Sequence, residues 1–183
     1  AAANQSQHIE QENLRVDPYT PFSWLSMGTT DNRSIRIEVQ EGVFSIEYQA
    51  QITLQPVVHY PMGLQEVSYL HLPADVLMYL NPSRYCESDL LGRFAFKTFG
   101  LIPSGYERVM AVCQWVYANI EYIPGSTNAS SSACDVLLQR AGVCRDFSHL
   151  SIALCRALGI PARYLAVYAP GLESPADFHG VFE

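Results

Sequence analysis

Hydrophobic and polar residues alternate along two stretches in the first half of the chain. The longer stretch covers residues 44–54 and the shorter one covers residues 35–39. Alternation with a period of two is typical of antiparallel strands that have one face in the core and one face in water. A short apolar run at residues 67–72 predicts another strand. Together these patterns predict an N-terminal antiparallel β domain, which we interpret as a small sandwich.

The spacing of apolar residues changes to a helical period in the second half. Ser104 and Glu107 have the spacing of a capping box, and apolar residues follow at helical intervals as far as Ile120. Ser132 and Asp135 repeat the capping signal, which predicts a second, short helix.

A third helix is predicted to begin near Cys144. Gly159 and Pro161 follow its last apolar residues in the order that is usual at a helix C-terminus. One face of this helix carries large apolar residues and the other carries small, weakly polar ones, which is typical of a helix at the centre of a domain. Two strands, at residues 163–168 and 178–183, are predicted to form a hairpin beside it.

The composition is that of a folded chain. Of the 183 residues, 49% are hydrophobic and 16% are charged, so a sizeable core can form. We predict a β domain at residues 1–80, a connector at residues 81–103 and a core at residues 104–183. The first ten residues are polar and rich in Ala, and we expect them to lie outside the fold.

The net charge bears on which partners the protein can bind, and the cysteine content bears on its cellular compartment. The net charge of −7 and the lack of a basic run argue against binding to nucleic acid or to an anionic membrane. No apolar stretch is long enough to span a bilayer. The five cysteines are odd in number and form no C-x-x-C pair, which predicts free thiols and a reducing compartment, the cytoplasm. The alternative is a mature secreted protein that has lost its leader.

Cys144 is the candidate nucleophile, because it lies at the predicted start of the third helix. The first turn of a helix carries a positive partial charge, and the adjacent Arg145 adds to it. A thiol in such a place ionises more readily, and the thiolate is the form that attacks carbonyl carbon. Backbone N–H groups there can also hold an oxyanion. The alternative is a cysteine that packs as a small hydrophobic residue.

His179 is the candidate base, because the predicted hairpin places it beside the helix. His149 is on the same helix as Cys144 but on another face. We expect Asp146 to brace the helix start. A zinc site formed by Cys134, Cys144 and either histidine lacks the usual ligand spacing. No calcium-loop pattern occurs, so we expect neither a metal nor another cofactor.

Several segments closely resemble the core of bacterial transglutaminase-like proteins. They are residues 127–133 (TNASSSA), 142–150 (GVCRDFSHL), 159–164 (GIPARY) and 178–183 (FHGVFE). Residues 79–89 and the β region resemble the N-terminal part of that family. The resemblance implies an α+β fold, with a β-sandwich-like domain followed by a papain-like core of helices packed on an antiparallel sheet. It also implies that Cys144 is the nucleophile and His179 its catalytic partner.

The activity implied is attack on a carboxamide or peptide carbonyl through a thioester. Water would resolve the thioester in a peptidase or amidase, and an amine would resolve it in a cross-linking enzyme. The partner is then a protein or peptide, with the oligomeric state left open. The family's third catalytic residue is an Asp on the strand after the His, and the sequence ends at Glu183 before such a strand. We therefore expect an incomplete core, in which His179 lacks its orienting partner.

Two alternatives stay open at this point. Asp177 could be the orienting acid, although its pairing with His179 would need a bend in the strand. The chain could instead be a non-catalytic protein-binding module that retains the fold.

Overall fold

The computed structural model describes residues 7–26, 32–55, 63–169, 171 and 178–183. The chain forms two compact units, Ala1–Tyr60 and Pro61–Glu183. Its class is α+β, as predicted, because strands make up the described part of the first unit and helices with short strand pairs make up the second. The division comes before the boundary expected at residue 80, so residues 63–80 belong to the second unit.

Four strands form the described part of the first unit. They are β1 (Gln7–Asp17), β2 (Phe22–Ser26), β3 (Arg33–Ile37) and β4 (Ser45–Leu54). Strand β1 pairs antiparallel with β4, and β2 pairs antiparallel with β3. The two strands predicted from alternation are thereby confirmed as β3 and β4. The expectation that residues 1–10 lie outside the fold is wrong for residues 7–10, which pair with the end of β4; residues 1–6 lie outside the described part.

Arg33 links the two strand pairs of the first unit. Its guanidinium, on β3, donates hydrogen bonds of 2.8 and 2.5 Å to the two carboxylate oxygens of Glu12 on β1. It also lies over the ring of Trp24 on β2, 4.8 Å from the centroid. The Tyr48 hydroxyl, on β4, donates to Glu12 at 3.0 Å. All four strands therefore contribute a side chain to one polar cluster.

The second unit contains four helices and two short strand pairs in its described part. These are α1 (Ser88–Phe99), α2 (Tyr106–Asn119), β5 (Glu121–Tyr122), α3 (Ala133–Gln139), β6 (Ala141–Gly142), α4 (Cys144–Ala157), β7 (Tyr164–Tyr168) and β8 (Phe178–Phe182). Helix α4 contacts α1, α2, α3 and β8, and its residues 148–155 are all buried. The predicted central helix and the antiparallel β7–β8 hairpin are confirmed.

The segment expected as a connector, residues 81–103, contains helix α1. Leu91, Ala95 and Phe99 are buried in the core at helical spacing. The turn-like residues that precede Ser88 obscured this stripe in the sequence.

Residues 63–72 support the second unit instead of forming the predicted strand. The apolar run at 67–72 contains only a short 3-10 turn, Tyr69–His71. Upstream of it, the Glu66 carboxylate accepts hydrogen bonds from the Gly105 N–H at 3.1 Å and from Arg108 at 3.2 Å. The predicted capping box at Ser104 does not form, because this segment caps α2 in its place.

Helix α4 begins at Cys144 because a buried carboxylate caps it. Asp146 has no exposed surface, and its Oδ2 accepts hydrogen bonds from the Val143 N–H at 2.9 Å and from the Thr127 hydroxyl at 2.5 Å. Its Oδ1 accepts two more from the Arg145 guanidinium, at 3.1 and 3.0 Å. The expectation that Asp146 braces the helix start is confirmed.

Replacing Glu12 with Gln should make the stability of the first unit less sensitive to acid. The hydrogen bond from Arg33 is the main cause that lowers the pKa of Glu12 to about 2, from an ordinary value of 4.5. A lowered pKa in the folded state stabilises above pH 4.5, and this stabilisation is lost as the pH falls through 2. Because the pair is partly exposed, we expect at most about 1 kcal/mol. Urea unfolding at pH 7, 4 and 2.5 measures the free energy of unfolding of the wild type and of the variant.

The matched control for this change is Glu10→Gln, on the same strand. We expect Glu10→Gln to keep the acid sensitivity of the wild type. Equal behaviour of the two variants would mean that the Arg33–Glu12 pair contributes nothing to stability.

Replacing Asp146 with Ala should destabilise the second unit more than the same change at Asp135. Both carboxylates accept from the backbone N–H three residues earlier, Val143 at 2.9 Å and Ser132 at 2.9 Å. Asp146 is fully buried and also holds Arg145, so its loss leaves partly buried donors unpaired. We expect losses of about 2–3 kcal/mol for Asp146→Ala and about 1 kcal/mol for Asp135→Ala. Similar shifts of the urea midpoint would contradict the assigned role of Asp146.

Candidate functional site

Cys144 is the first residue of α4, and its side chain is partly exposed. The first backbone N–H groups of a helix have no partner within the helix, and they carry the positive end of its dipole. The sulfur therefore lies beside groups that can stabilise negative charge. Its position is the one predicted from the sequence.

His179 lies on β8, opposite Val167 of β7, and is also partly exposed. Strand β8 passes very close to the first turn of α4, since a Cβ atom added at Gly180 would lie 3.1 Å from the Cα atom of Arg145. Cys144 and His179 line one cavity of about 440 Å³. The structure thus brings the two candidate residues to the same place.

The rest of the cavity wall is mainly apolar and comes from four elements. It consists of Cys113, Val116 and Tyr117 of α2, Tyr122 of β5, Phe147, Ser148 and Ser151 of α4, and Gly180, Val181 and Phe182 of β8. The small, weakly polar face of α4 noted in the sequence forms one side of this wall. A cavity of this kind can receive an apolar or aromatic side chain next to the thiol.

The other four cysteines lie outside the first turn of α4, although Cys113 lines the same cavity. All five are free thiols. Burial is the main cause that raises the pKa of Cys86 and Cys113, of Cys134 to about 11 and of Cys155 to about 12. These four thiols are therefore protonated, and poor nucleophiles, near neutral pH.

His149 does not line the cavity wall, as its position on another face of the helix predicted. Its ring lies between Tyr85, at 5.1 Å and nearly parallel, and Tyr164, at 5.2 Å and tilted by 49°. Its Nδ1 atom is buried and has no hydrogen-bond partner among the described residues. Burial lowers the pKa of His149, and the charge of Asp146 opposes this shift in part. The ring is therefore neutral near pH 7.

Tyr164 was not singled out in the sequence, although it follows the Gly-Ile-Pro-Ala-Arg segment. It is the first residue of β7, and its hydroxyl fills the space beside Gly180, 2.6 Å from where a Cβ atom would lie. No local pattern marks this contact, because it joins two strands and a helix start that are distant in the chain.

No group of three or more His, Cys, Asp or Glu side chains among the described residues is arranged to hold a metal ion. None of the helices described is both long and apolar enough to cross a membrane. Asp177, the alternative orienting acid, lies outside the described residues.

Comparison with known sequences places part of the chain in a family. Residues 93–183 match the model of the transglutaminase-like superfamily. An uncharacterised protein of Mycobacterium leprae is 45% identical over 60 residues, and one of Mycobacterium tuberculosis is 45% identical over 97 residues. These matches cover 33% and 53% of this chain, but only 22% and 30% of the mycobacterial proteins.

Two solved structures are similar in fold. A "putative cysteine protease" from Cytophaga hutchinsonii is 43% identical with a TM-score of 0.89, over 100% of this chain and 64% of that one. The periplasmic domain of TgpA from Pseudomonas aeruginosa is 17% identical with a TM-score of 0.50, over 99% of this chain and 63% of that one, and this likeness concerns the fold alone. The chain spans less than two thirds of each of these relatives. Through residues 93–183, the part that contains the cavity, it belongs to the transglutaminase-like superfamily.

Proposed function

We propose that this cavity catalyses thiol-dependent acyl transfer on a protein or peptide, with Cys144 as nucleophile and His179 as general base. The observation that carries the proposal is that both side chains line one cavity, the cysteine from a helix start and the histidine from the strand that crosses it. Membership of the transglutaminase-like superfamily supports the same chemistry.

The reaction begins with proton transfer from the Cys144 thiol to His179. The thiolate attacks the carbonyl carbon of a peptide bond or carboxamide, and N–H groups at the start of α4 stabilise the resulting oxyanion. His179 then returns the proton to the departing nitrogen as the C–N bond breaks, which leaves a thioester on Cys144. Water or a substrate amine attacks the thioester, and its proton passes through His179 back to the thiol. The product is a carboxylic acid or a new amide.

The cavity wall supports a substrate with an apolar or aromatic residue near the reactive carbonyl. Tyr122 and Phe147, whose ring centroids are 6.0 Å apart, lie in this wall. Burial of such a side chain contributes about 1.5–3 kcal/mol of binding free energy.

The five free thiols support a reducing compartment, and we propose the cytoplasm. The activity is proposed for the whole protein, so the tests use the full-length protein.

Cys144 should react with iodoacetamide at least about tenfold faster than any other cysteine of this chain at pH 7. The reason is that burial raises the pKa of the other four thiols, whereas Cys144 lies at a helix start and shares a cavity with His179. Peptide mass spectrometry on samples quenched over time measures the rate at each cysteine. The Cys144→Ala variant should lose the fast reaction. Labelling of Cys144 only after unfolding in urea would favour the non-catalytic binding module.

Replacing His179 with Ala should lower the hydrolysis rate of p-nitrophenyl acetate by about 10²- to 10⁴-fold, because the general base is lost. Cys144→Ser should abolish the reaction. His71→Ala, at an exposed histidine of the same unit, is the matched control and should retain the wild-type rate. A His179→Ala variant with full activity would remove the histidine from the mechanism.

Whether water or an amine attacks the thioester can be measured on the same protein. Casein mixed with a biotin-labelled pentylamine would either release peptides or become biotinylated. Both outcomes require Cys144, and loss of either in Cys144→Ser assigns it to this site.

A further inference from the structure

Three rings form a column that runs from Tyr85 through His149 to Tyr164. Tyr85 stacks on His149 with the ring planes 2° apart, and His149 in turn contacts Tyr164. The Tyr85 hydroxyl donates a hydrogen bond of 2.9 Å to the carbonyl of Ala129, which anchors the far end of the column. The Tyr164 ring, which is 38% exposed, packs against His149 at the other end of the column.

The Tyr164 hydroxyl lies between β8 and the first turn of α4. The position that a Cβ atom would take at Gly180 is 2.6 Å from this hydroxyl and 3.1 Å from the Cα atom of Arg145. The hydroxyl is therefore within about 6 Å of the Cα atom next to the nucleophile, by adding the two distances. Gly180, which follows His179 directly, leaves the space that the hydroxyl occupies.

The Tyr164 hydroxyl is available to donate a hydrogen bond to a bound substrate. Tyr164 makes no hydrogen bond through this group within the described residues, while its ring contacts the ring of His149. Burial, and then the negative charge of Cys144, raise the pKa of Tyr164, so the phenol keeps its proton at neutral pH. The Nδ1 atom of His149 is buried without a hydrogen-bond partner among the described residues, which is unfavourable. The packing of the three rings must outweigh this cost.

We propose that the Tyr164 hydroxyl donates a hydrogen bond to the oxyanion formed when Cys144 attacks a carbonyl. It would act together with the backbone N–H groups at the start of α4, as a second, side-chain donor of the same oxyanion site. No proton is transferred in this step, since the phenol only shares its hydrogen with the negative oxygen. This inference rests on the proposed acyl transfer and assigns a catalytic residue to it.

The test is Tyr164→Phe in the full-length protein, which removes the donor and keeps the ring in the column. We expect kcat/KM for p-nitrophenyl acetate to fall about 10²-fold. The alkylation rate of Cys144 with iodoacetamide should stay within about twofold of the wild type, because alkylation forms no oxyanion. Tyr168→Phe, the same change on the same strand at an exposed residue, is the matched control and should leave both rates unchanged.

Three other results are distinguishable from this one. An unchanged kcat/KM in Tyr164→Phe would overturn the role of the hydroxyl and leave the proposed function standing. Parallel falls in kcat/KM and in alkylation would also overturn it, since the hydroxyl would then act on the resting thiol. A wild-type protein in which Cys144 neither alkylates nor turns over the ester would instead contradict the proposed function itself.

Discussion

The buried carboxylate of Asp146 is the constraint on which the rest of the site depends. A carboxylate without exposed surface is unfavourable unless donors surround it. Here the donors are the backbone of Val143, the hydroxyl of Thr127 and the guanidinium of Arg145. They come from both sides of the helix start and from the loop before α3, so satisfying one charge determines where α4 begins. The place of Cys144 in the first turn follows from that arrangement.

The residues around this carboxylate are packed closely against one another. A Cβ atom at Gly142 would lie 2.8 Å from the Cβ atom of Asp146, so the small residue before the helix makes room for the cap. Gly142 also pairs in parallel with Tyr122, which brings that ring to the cavity. The residues of the Gly-Val-Cys-Arg-Asp motif therefore serve one requirement, which is a capped helix start that lies against a strand and beside a cavity.

Local signals in the sequence account for most of the elements near the site. The capping box at Ser132 formed as predicted, as did the start of α4 and the β7–β8 hairpin, and these elements carry both candidate site residues. The failures involve contacts distant in the chain. Residues 63–72 cap α2 through Glu66 instead of forming a strand, and Tyr164 gains its place only from its packing against Gly180 and the helix start. Patterns of period two or 3.6 carry no information about such contacts.

Helix α4 contains two thiols with opposite environments. Cys155 is in the buried part of the helix, and burial raises its pKa to about 12. Cys144 is the first residue of the helix and lines a cavity. The two residues differ in place along one helix and not in type. A cysteine on α4 is therefore suited to nucleophilic chemistry only where the capping carboxylate, the helix dipole and strand β8 meet, and this is the first turn.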